Sequence, residues 1–242
     1  MVSNRLIPER LTQADLSALI KLNESVISSA PPGYIRPKSE ADLAAIVTGG
    51  SGAAFCIRSQ GELVAAALLT YPPPQVAGLP LFPRVPPEQW LDGAAFFDGA
   101  VVRPDMRGQG LQRALFDTRL AYARTQGRRW FCAGVHAGNV VSWSNLIRKR
   151  LAIVGMAFFY GYPLFALLRA EDADAVATDG PSRLVDPYDL AGHERALGAG
   201  MLGVDLLDGQ IVYRRAVRAD TIGQSVIRNV AHPERASSAA SA

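Results

Sequence analysis

Six consecutive residues, Arg107-Gly108-Gln109-Gly110-Leu111-Gln112, have the types and spacing of an anion site. They follow an apolar run ending in Val101-Val102 and precede Leu111 to Gln126, whose apolar periodicity predicts an amphipathic helix. A glycine-bearing turn between strand and helix leaves backbone N–H groups of the first helical turn free, at the end where the helix dipole favours negative charge. Gly108 and Gly110 remove side chains that would block a diphosphate, and Arg107 and Arg113 add positive charge. A P-loop would need GxxxxGK[ST], which does not occur. A dinucleotide fold would need a third glycine, and position 113 is Arg. Upstream, Asp98 lies inside the apolar run Ala94 to Val102 and is a candidate proton acceptor. Asn139 and Ser142 open another predicted helix, and His136 precedes them at a strand end. Cys56 and Cys132 sit in apolar runs and read as buried free thiols. Two Cys and three His show no metal-ligand spacing, so no metal is expected.

These groups need a scaffold, and the chain reads as alternating elements. Arg5-Leu6-Ile7 predicts a short first strand, and Thr12 and Ser39 predict the starts of two helices, the first ended by Pro31-Pro32-Gly33. Ala53 to Ser59 and Glu62 to Thr70 predict a hairpin turning at Gln60-Gly61. The proline-rich stretch from Tyr71 to Pro87 cannot pair into a sheet and reads as a loop or lid. The Asp98 strand, the glycine turn and its helix follow, then a strand from Arg129 to Val135, a helix from Asn139 to Arg150, and two strands within Met156 to Leu168. The uncharged stretch from Leu151 to Leu168 just reaches the length of a membrane span, but Gly155, Gly161 and Pro163 interrupt it, and no span is expected. Glu171 to Gly180 reads as a linker, Asp186 to Gly198 as a short helix, and Val204 to Arg214 as a hairpin around Asp208-Gly209. The expected organisation is a domain over residues 1–170, an extension over 171–218 able to pair with a second copy, and a flexible tail over 219–242.

The chain has 242 residues, 49% hydrophobic and 19% charged, which suits a folded protein rather than a disordered one. A formal charge of +3 is too small to imply nucleic-acid binding but suits an anionic ligand. Met1 to Arg5 has no apolar leader, so a cytoplasmic protein is expected.

The glycine turn resembles the acyl-CoA loop of the GNAT N-acetyltransferase superfamily, [RQ]-x-x-G-x-[GA]. Arg107 and Gly110 match it, and Gln112 replaces the final small residue. Val102-Arg103-Pro104-Asp105-Met106 is similar to the family's strand exit, and the order β-α-α-β-β-loop-β-α-β-α-β-β resembles its fold over residues 3–169. The resemblance implies an α/β (α+β) fold whose mixed sheet splays at the acyl-CoA site, with a small C-terminal helix-hairpin appendage. It implies that acetyl-CoA or another acyl-CoA pairs with backbone of Val101 and Val102, past a bulge at Gly99 and Ala100. Its phosphates would lie on Arg107, Gly108, Gln109, Gly110, Leu111, Gln112 and Arg113. Asn139 and Ser142 would contact the pantetheine arm. Asp98 would be the base; the family's Tyr for the leaving thiolate falls on Leu146, so Tyr160 or Tyr162 from the last strands, or water, would take its place as the acid. The implied reaction is direct transfer of an acyl group to the amine of a small molecule or peptide.

Overall fold

The structure, a computed structural model, describes residues 6–72, 82, 84–159, 161–217 and 226–227. Most of the proline-rich stretch, Tyr160 and nearly all of the expected tail lie outside the described residues. The first strand is Glu9–Arg10 (β1), not Leu6-Ile7: it pairs with Phe55 and Cys56, so backbone partners rather than side-chain hydrophobicity place it. Thr12 starts a 3-10 turn that runs into Leu16–Ser28 (α1), and Ser39 caps Glu40–Val47 (α2) by accepting from the Asp42 N–H at 3.1 Å.

Gly52–Ser59 (β2) and Glu62–Thr70 (β3) form a hairpin whose turn residues Gln60 and Gly61 both have positive φ, 51° and 84°. Both strands are almost wholly apolar because both faces are covered. On one face, Leu19, Leu22 and Val26 of α1 and Leu43 and Ile46 of α2 pack on Ala54, Cys56, Ala66 and Leu68. On the other, Leu111, Leu115 and Phe116 pack on Phe55, Ala65, Ala67 and Leu69.

The chain continues through a short helix, Trp90–Gly93 (α3), into Ala94–Val102 (β4), Leu111–Thr125 (α4), Trp130–His136 (β5) and Val140–Arg148 (α5). The apolar stretch that resembled a membrane span is two strands, Ala152–Phe159 (β6) and Tyr162–Ala170 (β7). No helix among the described residues is long and apolar enough to cross a membrane.

The expected linker is ordered. Ala173–Val176 is a 3-10 turn and Thr178–Val185 is a strand (β8). Leu190–Gly198 (α6) and the hairpin Met201–Leu207 (β9) and Gln210–Ala216 (β10) follow, again turning on positive-φ residues, Asp208 and Gly209. The segment 171–180 looked like a linker because its outward side chains are polar; β8 is exposed along most of its length, and pairing with β10 orders it. Val226–Ile227 (β11) pairs parallel with β6. The strand order is β1-β2-β3-β4-β5-β7-β6-β9-β10-β8, so one sheet carries both the main unit and the extension. Their junction is the contact of Ile153 with Gly203, where a side chain at 203 would lie 3.1 Å from Ile153.

The extension is anchored by a buried polar pair. His193 is 0% exposed, with Nε2 at 3.3 Å from the Pro187 carbonyl and Nδ1 at 3.0 Å from the Tyr213 hydroxyl. A carbonyl only accepts, so these partners assign the proton to Nε2 and make Nδ1 the acceptor of the Tyr213 O–H. Burial pushes the His193 pKa below its ordinary value. The unfolded chain therefore binds the proton more readily near pH 6, and the stability this group contributes is complete above about 6.5 and is lost as pH falls below it. Chemical denaturation at pH 7 and pH 5 should show lower stability at pH 5. His193→Gln should reduce that difference, and an unchanged difference would remove His193 as its source.

Candidate functional site

β4 and β5 are parallel neighbours only at their beginnings, where Ala94, Ala95 and Phe96 pair with Trp130, Phe131 and Cys132. Beyond that point β4 stays with β3 as far as Val102, and β5 stays with β7 as far as His136. The sheet therefore opens, and the facing edges of the two strands carry unpaired backbone groups there. In the β3–β4 register Leu68 faces Asp98 and Ala67 faces Ala100, which makes Gly99 the extra residue of a bulge, with φ +77°. A Cβ added at Gly99 or at Gly134 of β5 would meet nothing within 4 Å, so both glycines border open space.

The strand exit is braced by Arg103, which donates from Nε and Nη2 to the two Asp105 carboxylate oxygens at 2.7 and 2.9 Å and from Nη1 to Glu62 at 3.0 Å. Arg107 is exposed, with Nε donating to the Val102 carbonyl at 3.3 Å. Gly108 and Gly110 have φ +79° and +76°, and Gly110 is the N-cap of α4. Among the described residues, the N–H groups of residues 108 to 112 donate to no backbone carbonyl. A run of outward N–H groups at a helix start is a concave site for an anion. Arg113 lies over it: a Cβ at Gly110 would sit 3.3 Å from its Nη2.

Gln112 turns away from this cradle. It donates to Ser142 Oγ at 3.4 Å and accepts from Asn145 Nδ2 at 2.8 Å, tying α4 to α5. Asn139 caps α5, its Oδ1 accepting from the Ser142 N–H at 3.2 Å. Leu146 is buried in the core, so nothing acidic occupies that place on α5.

On the face of α1 and α2, Asp98 makes two contacts that sequence reasoning missed. Lys38, from the segment between α1 and α2, places Nζ 2.7 Å from Asp98 Oδ2, and Thr70 Oγ1 donates to the same oxygen at 3.4 Å. Nothing in the spacing of Lys38 and Asp98 announced their meeting. Beyond them, at the end of β5, the His136 ring lies 4.8 Å from Tyr34 and 5.7 Å from Tyr162. The Gly138 N–H donates to His136 Nδ1 at 3.0 Å, which leaves the imidazole proton on Nε2, and burial lowers the His136 pKa. His136 is thus a neutral hydrogen-bonded ring with no free acceptor nitrogen. Tyr34 donates to the Gly138 carbonyl at 2.7 Å, and Gly33 has no room for a side chain against Tyr162, at 2.8 Å.

Behind the bulge, on the face of α4, lies Arg119. It is 2% exposed, donates to the carbonyls of Leu68 at 2.9 Å and Gly99 at 3.4 Å, and stands 4.9 Å above the Phe97 ring. Desolvation lowers its pKa to about 9, against the opposing pull of the Asp98 charge. A signal existed: Arg119 stands four residues after Leu115, on the apolar stripe of α4.

A cavity of about 550 Å³, lined by Glu88, Asp92, Arg129 and Asp172, is at the opposite end of β4 and β5 and contains none of these groups. Cys56 and Cys132 are free and buried, and burial pushes the Cys56 thiol up to about 12, which excludes either as a nucleophile near neutral pH. No group of His, Cys, Asp and Glu among the described residues is placed to hold a metal ion.

No family model and no curated protein sequence matches the chain. Solved structures do. A protein from Salmonella typhimurium assigned as an acetyltransferase and solved with acetyl-CoA has a TM-score of 0.56 at 14% identity, over 74% of this chain and 98% of that one. A ribosomal-protein-alanine N-acetyltransferase from Brucella melitensis has a TM-score of 0.51 at 19% identity, over 68% and 99%. A protein from Desulfovibrio desulfuricans assigned to the GNAT family of acetyltransferases has a TM-score of 0.51 at 13% identity, over 68% and 98%. The chain has the fold of GNAT acetyltransferases.

Proposed function

We infer that the protein is an acyl-CoA-dependent N-acyltransferase. The observation that carries this reading is the run of free N–H groups at residues 108–112, set where the unpaired edge of β4 leads out of the opening between β4 and β5. A diphosphate fits the cradle, and an extended arm attached to it can add to the edge of Val101 and Val102 as a strand would. Arg107, Gly108, Gln109, Gly110, Leu111 and Arg113 hold the phosphates. Gln112 acts at one remove, fixing α4 against α5. Asn139 uses Oδ1 for the cap and keeps its Nδ2 donors for the arm.

Acyl-CoA supplies an activated acyl group whose thiolate leaves readily. The protein has to align an amine with it and take a proton. Asp98 is the first residue of β4 beyond the β5 pairing whose side chain faces the α1–α2 side, and it already binds an ammonium, that of Lys38. This supports Asp98 as the residue that receives the acceptor amine and its proton. Tyr160, the acid expected from sequence, lies outside the described residues.

Release of free thiol from acetyl-CoA with a panel of small-molecule and peptide amines tests the reading. Amine-dependent release is expected. A second reading, a binding module without turnover, is favoured by the ion pair that occupies Asp98; acetyl-CoA binding with no thiol release would establish it. Arg107→Ala should weaken acetyl-CoA binding severalfold in low salt and by less in high salt, because an exposed charge contact is screened within about 10 Å at 0.1 M. Calorimetry at two ionic strengths checks this, and an equal loss at both would assign Arg107 to the shape of the loop.

A further inference from the structure

The sequence contains three lysines, Lys21, Lys38 and Lys149, among 25 lysine and arginine residues. Lys21 is exposed on α1, and Lys149 is paired with Asp117 at 2.6 Å on the surface. Lys38 differs from both. Its side chain is only 14% exposed, and its Nζ lies 2.7 Å from Asp98, beside the opening of the sheet. Any amine that is to be acylated at this site must reach Asp98, and Lys38 is already there.

We propose that Lys38 is itself an acyl acceptor, so that the protein acylates its own chain at this position. The inference rests on the acyl-CoA reading above. In the step, Asp98 takes one proton from the Lys38 ammonium. The freed Nζ attacks the thioester carbonyl, an N–C bond forms and the C–S bond breaks. The second nitrogen proton leaves with the thiolate as free thiol, and Asp98 returns its proton to solvent. The products are an acyl-lysine and a thiol, with no other reactant. Acylation removes the positive charge of Lys38 and with it the ion pair to Asp98. The modification therefore frees the carboxylate for an external amine and loosens the α1–α2 segment from β4.

The test uses the full chain and acetyl-CoA with no added amine. Peptide mass spectrometry follows acetyl gain at Lys21, Lys38 and Lys149 over time, and calorimetry on the same preparation measures acetyl-CoA binding. Lys38 is expected to react roughly tenfold or more faster than Lys21, because it is held at the site while Lys21 reacts only by chance encounter. Asp98→Asn should bring Lys38 down to the rate of Lys21. Lys38→Arg, which keeps a cation on Asp98 but offers no acylatable amine, should lower the intact-mass gain by one acetyl group. Acetyl-CoA binding with Lys38 no faster than Lys21, or fast acylation that persists in Asp98→Asn, overturns self-acylation through Asp98 and leaves the acyl-CoA reading standing. Absence of acetyl-CoA binding overturns both.

Discussion

Gly110→Asp is expected to lower acetyl-CoA affinity by at least about a hundredfold, roughly 2.7 kcal/mol, while the fold survives. Two effects act in the same direction. The new carboxylate stands at the start of α4, among N–H groups that are otherwise free, and occupies them as a phosphate would. It also lies within reach of Arg113, whose Nη2 is 3.3 Å from the position of the added Cβ, and neutralises a cation proposed to hold the phosphates. The backbone cost is small, because Asp tolerates the left-handed φ of +76° better than most residues. Gly110→Ala separates these charge effects from the backbone: it carries the backbone strain without the carboxylate and should lose less affinity. Calorimetric titration with acetyl-CoA, alongside a melting curve, makes the comparison. Unchanged affinity in Gly110→Asp would mean that the phosphates do not sit on this turn.

Asp98→Asn is expected to lower turnover by roughly a hundredfold or more, the usual worth of a positioned base. Asparagine keeps the size of the side chain and still accepts a hydrogen bond, so Thr70 retains its partner. The loss of charge to Lys38 should cost little stability, about 1 kcal/mol or less, because Asp98 is about a third exposed, at 35%. Acetyl-CoA affinity should hardly change, since in the proposed mode recognition along β4 is by backbone. Wild-type turnover in Asp98→Asn would exclude Asp98 as the base. His136 is poorly placed to replace it, because Gly138 already uses its acceptor nitrogen.

Local chemistry made several parts of this protein legible in advance. The glycine turn, the caps at Thr12, Ser39 and Asn139, and the hairpin turns at Gln60-Gly61 and Asp208-Gly209 are each set by residues within a few positions of one another, through backbone φ and short-range hydrogen bonds. The bulge at Gly99 was expected only from the family resemblance; pairing with β3 sets its place, and glycine enters its φ of +77° without penalty. Misreadings arose where the partner was distant. The true first strand is set by backbone pairing with β2, and the supposed linker is a strand because β10 lies beside it.

Tertiary structure alone decided the electrostatics of the site. Lys38 and Asp98 are 60 residues apart, and no pattern in one dimension links them; the fold brings the α1–α2 segment over the strand. Arg119 reaches carbonyls on two strands, its charge buried where the periodicity of α4 called for an apolar side chain. Gln112 could be read only as a departure from a pattern until its partners on α5 showed which way it points. Local backbone conformation follows from neighbours in the chain, so the sequence determined where the turns and caps lie. The charge, burial and orientation of a side chain follow from neighbours in space, and those exist only once the sheet has assembled.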